Sequence, residues 1–238
     1  MKTILYKASS RGHAFHGWLD TYHTFSFANY YDPNRIHFGA LRVVNDDIIK
    51  GRNGFGTHPH DNMEIVTIPL YGDLEHKDSM GHTEVIKAGE VQVMSAGSGI
   101  THSEYNANKD KPVNLFQIWI FPDKKDVTPR YDQKAFNFEK MNSLVEIVAP
   151  INEQGLGLGI HQSAWFNIGV FDEGYDFDYS IKKAGNGIFT MVIDGEFTID
   201  GQKLYHRDAF ALSDTDNIKI VADTEKARIL LIDVPMSF

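Results

Sequence analysis

Apolar and polar positions alternate with a period of two along most of the chain. Glu90-Val-Gln-Val-Met-Ser95, Asn217-Ile-Lys-Ile-Val-Ala222 and Arg228-Ile-Leu-Leu-Ile-Asp-Val234 all carry apolar residues at that spacing. Side chains two apart on an extended chain share a face, so this rhythm predicts strands. Val113-Asn-Leu-Phe-Gln-Ile-Trp-Ile-Phe121 is apolar on both faces, as expected of a strand covered on both sides, and Trp119 within it reads as core. Between Ile188 and Gln202, strand-like runs are punctuated by Asp194-Gly195 and Asp200-Gly201. Asp-Gly supplies the positive φ angles that tight hairpin turns require. No apolar stripe of helical period is sustained beyond about three turns, and the best helix candidate, Tyr131–Met141, is short. The predicted class is all-β.

The chain divides near its middle. Pro122-Asp-Lys-Lys-Asp-Val-Thr-Pro-Arg130 is charged and holds two prolines, so it reads as a linker or crossover. Strand-like segments resume at Val145. The predicted domains are 1–135 and 136–238. Lys87-Ala-Gly-Glu-Val-Gln-Val-Met-Ser95 and Tyr205-His-Arg-Asp-Ala-Phe-Ala-Leu-Ser213 share a turn, an acidic residue and an alternating run, which suggests a degenerate internal duplication.

Composition narrows the class of function. With 238 residues, 42% hydrophobic and 12% aromatic, the chain has ample material for packed cores, which argues against disorder. A net charge of −9 and no Lys/Arg cluster longer than two argue against direct nucleic-acid binding. There are no cysteines, which removes disulfides, thiolate metal sites and a cysteine nucleophile, and fits a reducing compartment. The apolar run in Met1-Lys-Thr-Ile-Leu-Tyr-Lys-Ala8 is too short for a signal peptide or membrane span. A soluble, cytoplasmic protein is the expectation.

The candidate chemistry lies in residues 54–104. His58 and His60 are spaced i, i+2, and so are His102 and Glu104. On two neighbouring strands these pairs would aim three imidazoles and a carboxylate into one small volume, a site for a divalent first-row transition metal. Nitrogen and oxygen donors without sulfur suit iron, manganese, cobalt, nickel, copper or zinc. Four protein ligands leave coordination positions open, which points to chemistry rather than a closed structural site. Glu64, four residues beyond His60, competes with Glu104 as the carboxylate ligand, and spacing leaves that choice open. Gly97 and Gly99 allow a tight bend before His102. His76 and His82 read as structural residues at strand ends or in a loop. His23, Phe25 and Phe27 could wall a flat aromatic substrate, with N-terminal core packing the preferred reading. After Ser213 no His-x-Glu recurs, so the second domain is expected to hold no metal.

These residues resemble the cupin superfamily and, within it, the pirin family. The first cupin motif is matched by Gly54, His58, His60, Glu64 and Gly72. The second departs at Ser95, where a proline is usual, and Met94-Ser-Ala-Gly-Ser-Gly-Ile-Thr-His102-Ser-Glu104 looks like pirin's form. His23-Thr-Phe-Ser-Phe27, Leu41-Arg-Val-Val-Asn-Asp-Asp47 and Leu74-Glu-His-Lys-Asp-Ser-Met-Gly81 are similar to stretches of bacterial pirin-like quercetinases. The resemblance implies a bicupin, two facing antiparallel β-barrels of the double-stranded β-helix type, with metal in the N-terminal one alone. It implies His58, His60, His102 and Glu104 as ligands, Glu104 also as catalytic base, and one divalent ion, with iron the first expectation. The implied activity is a dioxygenase that opens the heterocycle of a flavonol such as quercetin with O₂, its partners being a small aromatic substrate and O₂. The alternative the family suggests is a metal-containing, redox-responsive regulator that binds a protein partner.

Overall fold

The computed structural model describes residues 1–153 and 155–238. The chain opens with β1 (Lys2–Tyr6), a 3-10 turn over Ala8–Ser10, β2 (Gly12–Phe15) and β3 (Leu19–His23). Eight strands follow: β4 (Leu41–Ile49), β5 (Gly54–His60), β6 (Glu64–Tyr71), β7 (Asp73–Asp78), β8 (Thr83–Lys87), β9 (Glu90–Ser95), β10 (Ile100–Asn106) and β11 (Val113–Ile120). Three more, β12 (Arg130–Ala135), β13 (Ser143–Pro150) and β14 (Leu158–Ile160), lead to a second series. That series is β15 (Trp165–Phe171), β16 (Asp176–Ser180), β17 (Asn186–Asp194), β18 (Phe197–Ile199), β19 (Gln202–Leu204), β20 (Ala209–Ser213), β21 (Asn217–Ala222) and β22 (Ala227–Pro235). The all-β expectation holds, and no helix among the described residues is long and apolar enough to cross a membrane.

The strands form four sheets. The first half has a seven-stranded sheet, β12-β9-β6-β11-β4-β3-β2, and a four-stranded one, β5-β10-β7-β8. The second half has β1-β20-β17-β22-β15-β13-β14 and β16-β21-β18-β19. Raising each strand number from β4 to β11 by eleven converts the first pattern into the second. The faint echo between Lys87–Ser95 and Tyr205–Ser213 therefore reflects a duplication of eight strands, in which β9 and β20 hold the same place. β1 crosses over to hydrogen-bond β20 in the sheet of the second half, with Lys2 opposite Ser213 and Tyr6 opposite Ala209. β12 covers the corresponding flank of β9.

The strand period explains the packing. Val66, Ile68, Val93, Phe116 and Ile118 leave one seven-stranded sheet and meet Phe166, Ile168, Phe189, Met191, Leu230 and Ile232 from the other. This shared core joins the two halves face to face. The opposite parity points into each half. Phe116 and Ile118 of β11 enter the shared core while Leu115 faces the first half's interior, packed with Leu74 and Ile86 of the smaller sheet. The two-faced apolar character of Val113–Phe121 has this cause.

The two interiors differ in chemistry. In the second half, Ile188, Val192, Leu212 and Leu231 pack against Tyr179, Phe197, Ile199, Ile218 and Ile220. In the first, Asn45, Asp47, Thr67, Gln92, His102, Glu104 and Gln117 are all buried.

Two local expectations are corrected. Arg130–Ala135, inside the helix candidate Tyr131–Met141, is the strand β12. Pairing with β9 from Arg130 opposite Ser95 to Ala135 opposite Glu90 satisfies both backbones, which outweighs a weak local helix preference. Of the Asp-Gly pairs, Asp200-Gly201 makes the expected tight turn, with φ of 45° and 80° between the paired strands β18 and β19. Asp194-Gly195 instead turns a corner from one sheet to the other, since β17 and β18 belong to different sheets.

Phe189 contacts Tyr6 and Phe25 across the shared core, with ring centroids 6.0 Å apart in both pairs. Truncating Phe189→Ala is expected to lower unfolding stability by about 3–5 kcal/mol, measured by urea denaturation. A loss under about 1 kcal/mol would contradict the assignment of this core as the joint between halves.

Candidate metal centre

The centre is built on β5, β10 and β7, neighbours in the four-stranded sheet of the first half. On β10, Ile100, His102, Glu104 and Asn106 alternate inward and are buried. β5 runs antiparallel to it, with His58 opposite His102 and His60 opposite Ile100. The register shifts between His102 and Glu104, so that Glu104 lies opposite Phe55 rather than Gly56. Such a bulge re-aims the side chains beyond it. Here it lets His58 and His60 face inward while Phe55 does too. Gly54 sits where a Cβ would strike the Glu104 carbonyl and the Tyr105 backbone, so the close approach of these strands requires glycine there. Before β10, Gly97 and Gly99 take φ of 49° and 127°, the tight bend expected.

His58, His60 and His102 each place a ring nitrogen within 4.8 Å of the others. Their ring centroids are 4.4–4.9 Å apart. The Nε2 atoms of His60 and His102 are buried and have no hydrogen-bond partner among the described residues. His58 Nδ1 meets the Gly56 carbonyl at 2.8 Å, which places the proton on Nδ1 and leaves Nε2 bare. Burial first, and then the neighbouring imidazoles, hold His60 down at about 4 and His102 at about 2. Both of these rings are neutral near pH 7. Bare, neutral and convergent nitrogens are what a divalent transition metal takes, so the donor set fits such an ion.

Glu104 is close by but differently engaged. Its two carboxylate oxygens accept hydrogen bonds from Gln117 Nε2 at 3.2 and 3.1 Å. Gln117 is held in turn by Trp119 Nε1, which donates to its Oε1 at 3.1 Å. The Trp119 ring stands edge-on to His60, 4.9 Å away. Burial raises Glu104 to about 7, partly countered by Gln117. Its oxygens fall within 4.8 Å of a second group, with His102 and His76. Of the four residues singled out by spacing, then, three share one cluster and Glu104 joins it through His102.

Glu64 lies elsewhere. β5 ends at His60 and β6 begins at Glu64, and Asn62 between them takes φ of 44°, so no continuous strand carries the face of His60 to Glu64. Glu64 shares parity with Val66 and Ile68, which enter the shared core, and it accepts a hydrogen bond from Ser95 Oγ at 2.7 Å. Burial raises its pKa to about 7.

By sequence alone His76 is a structural residue at a strand end or in a loop. It is fully buried at the centre, opposite Glu104 on β7. The available signal was the same-face spacing of His76 and Asp78. Gln117 carries no spacing signal in the sequence; its one mark is an amide in an otherwise largely apolar run.

A cavity of about 500 Å³ in the first half is lined by Trp18, Thr21, His23, Phe27, Tyr30 and Phe55 with Asn45 and Asp47, and by none of the cluster histidines. Phe27 links it to the centre, its ring meeting Trp119 edge-on at 5.4 Å. Asn45 and Gln117 face each other across β4 and β11. Of the three aromatic candidates near the N-terminus, His23 and Phe27 line this cavity, whereas Phe25 packs with Tyr6 and Phe189 in the shared core. Asp47 accepts a hydrogen bond from Thr21 Oγ1, and burial raises it to about 7.

The duplicated half offers a contrast at matching places. Tyr179 opposite Ile218, and Ile220 opposite Ile199, stand where His58 opposite His102, and Glu104 opposite His76, stand in the first half.

Comparison with known proteins places this geometry in context. The Pirin family model matches residues 5–120, and the model of the quercetinase C-terminal cupin domain matches 147–234. A protein of Escherichia coli K12 named quercetin 2,3-dioxygenase is 46% identical over 97% of this chain and 98% of its own length. A pirin-like protein of Caulobacter vibrioides is 38% identical, covering 93% and 95%. The crystal structure of the E. coli bacterial pirin YhhW in complex with nickel(II) superposes with a TM-score of 0.92 at 44% identity, covering 98% and 99%.

Two predictions arise from these contacts. Adding Co²⁺ or Ni²⁺ to chelator-treated protein, at a hundredfold excess over Kd, is expected to stabilise it by about 2.7 kcal/mol, read by calorimetry. His102→Ala should abolish that gain, and an undiminished gain in the variant would exclude the imidazole cluster as the binding site. The second concerns Glu64. The unfolded chain releases this proton near 4.5, while the folded protein keeps it to about 7. Stability contributed by this group therefore falls as pH rises from 4.5 to 7 and is flat above. Glu64→Gln, which still accepts from Ser95, should remove that decline and be more stable at pH 8 by on the order of 3 kcal/mol. Parallel pH–stability curves for the two proteins would contradict it.

Proposed function

The chain belongs to the pirin family, and on that premise we propose that it is a metal-dependent dioxygenase opening the heterocycle of a flavonol such as quercetin with O₂. The observation that carries this reading is the meeting of three imidazoles, two of them with bare buried Nε2 atoms, linked through Trp119 and Phe27 to an aromatic-walled cavity. The name borne by the E. coli relative supports it, as does the nickel held by the E. coli bacterial pirin.

We assign His58, His60, His102 and Glu104 as the ligands of one divalent ion, with iron the first expectation. The bicupin is thereby divided in labour. Domain 1–135 binds metal, and domain 136–238 has isoleucines and a tyrosine at the matching places. When bound, the ion supplies a Lewis-acid position that makes a flavonol hydroxyl more acidic and lets O₂ meet the ring.

The chain's own residues orient the substrate and handle the proton. Trp18, Phe27, Tyr30 and Phe55 offer flat apolar surface for an aromatic ring system. His23 and Asp47 present polar groups to hydroxyls at the same wall. Glu104 takes the hydroxyl proton on a carboxylate oxygen. Gln117 limits the rotation of that carboxylate through its paired hydrogen bonds. Both atoms of O₂ enter the ring-opened ester, and one ring carbon leaves as carbon monoxide.

The test is O₂ uptake with a flavonol panel by protein loaded in turn with iron, manganese, cobalt, nickel and copper. At least one metal should support turnover, and Glu104→Ala should lower it by about 10²–10⁴-fold, the usual weight of a general base. Absence of uptake with every metal would overturn the reading, and so would full activity in the Glu104 variant.

A further inference from the structure

Behind His102, away from the cluster, lies a row of buried polar side chains that coordination does not use. His76 sits on β7, its side chain fully buried, as is that of Asp78. His76 Nε2 lies 3.3 Å from Asp78 Oδ2, and His76 Nδ1 lies 3.5 Å from His102 Nδ1. Asp78 is itself fastened on its other side. Its Oδ1 accepts from the backbone N–H groups of Met80 and His82 at 2.9 and 3.1 Å, and its Oδ2 meets His82 Nδ1 at 2.9 Å. The Tyr131 ring packs over both His76 and His82, at 4.8 and 4.9 Å.

Proton positions follow from this chain of contacts. An ionised carboxylate only accepts, so His76 must donate through Nε2. A neutral ring protonated at Nε2 has a lone pair at Nδ1. His102 must then donate through its own Nδ1, which leaves the lone pair on His102 Nε2, the buried atom without a partner on the side of His58 and His60. The alternative His102 tautomer would set two lone pairs against each other at 3.5 Å and aim a proton into the cluster.

We propose that His76, anchored by Asp78, is a positioning residue that fixes His102 in its Nδ1–H tautomer and so presents a bare Nε2 to the metal. The inference rests on the assignment of His102 as a ligand and extends it to a residue that does not itself coordinate. A partner of this kind orients a ligand and raises its basicity.

The experiment has two readouts on the full chain with ¹⁵N-labelled histidine. Long-range ¹H–¹⁵N correlation spectra report the tautomer of each ring, in chelator-treated protein and with Zn²⁺ added. His102 is expected to carry its proton on Nδ1 in both, and His76 on Nε2. Titration with Ni²⁺ gives the affinity. His76→Leu is expected to scramble the His102 tautomer and weaken Ni²⁺ binding about 10–100-fold, whereas His76→Gln, whose Oε1 can accept from His102, should recover most of that loss. The wild-type tautomer measurement stands even if the leucine variant misfolds. A proton on His102 Nε2 in the chelator-treated wild type overturns the proposal, as does a folded leucine variant with Ni²⁺ affinity within about twofold of wild type. Wild-type affinity in His102→Ala instead strikes the ligand assignment, and the tautomer spectra then decide the positioning role alone.

Discussion

A buried polar atom without a hydrogen-bond partner costs about 1–3 kcal/mol. The first half of this protein holds two on facing imidazoles, the Nε2 atoms of His60 and His102. Nothing in ordinary packing recovers that cost. Coordination to a cation does, because the lone pairs that lack a donor are those a metal accepts. Much else in the first half serves this constraint. The β5 bulge turns His58 and His60 inward, Gly54 lets the β10 backbone come close, and Gln117 and Trp119 hold Glu104 at the edge of the cluster.

Duplication makes such an interior tolerable. Eight strands recur in the same order, and the outer faces of the two larger sheets close on each other in one apolar core. That core and the apolar interior of the second half supply burial that a polar interior forgoes. At about 25 cal/mol per Å² of apolar surface removed from water, large side chains such as Phe116, Phe166 and Phe189 are substantial contributors. β1 ties the halves further by completing the second sheet from the first end of the chain. The matching places Tyr179, Ile199, Ile218 and Ile220 illustrate how one architecture can hold either a donor cluster or a packed core.

Three buried carboxyls, Asp47, Glu64 and Glu104, are all raised to about 7 by burial, yet they face different surroundings. Glu104 is beside the imidazoles, Asp47 is at the cavity wall with Thr21, and Glu64 is on the far side of its strand with Ser95. Similar acidity thus carries different meanings, and position in the sheet tells them apart. A group balanced near neutrality suits proton transfer where substrate can reach it, whereas for Glu64 the same balance is a cost of burial.

How much of this was legible beforehand follows from the range of each interaction. A strand's period of two is local, so the all-β class, the two-faced strand Val113–Phe121 and the same-face pairs His58/His60 and His102/Glu104 could be read from residues alone. Asp200-Gly201 was legible as a hairpin because its turn is local too. Other features depend on which strand lies beside which. Tyr131 reads as part of a weak helix until the open flank of β9 recruits it. Glu64 has the right spacing from His60 until the break at Asn62 turns it away. His76 looks like one more strand-end histidine until β7 settles beside β10 and sets it against His102. The amino-acid sequence alone determined the strand faces and the kinds of donor. Only the tertiary structure decided which donors converge and which hydrogen-bond elsewhere, because register between distant strands is set by long-range packing that no local pattern encodes.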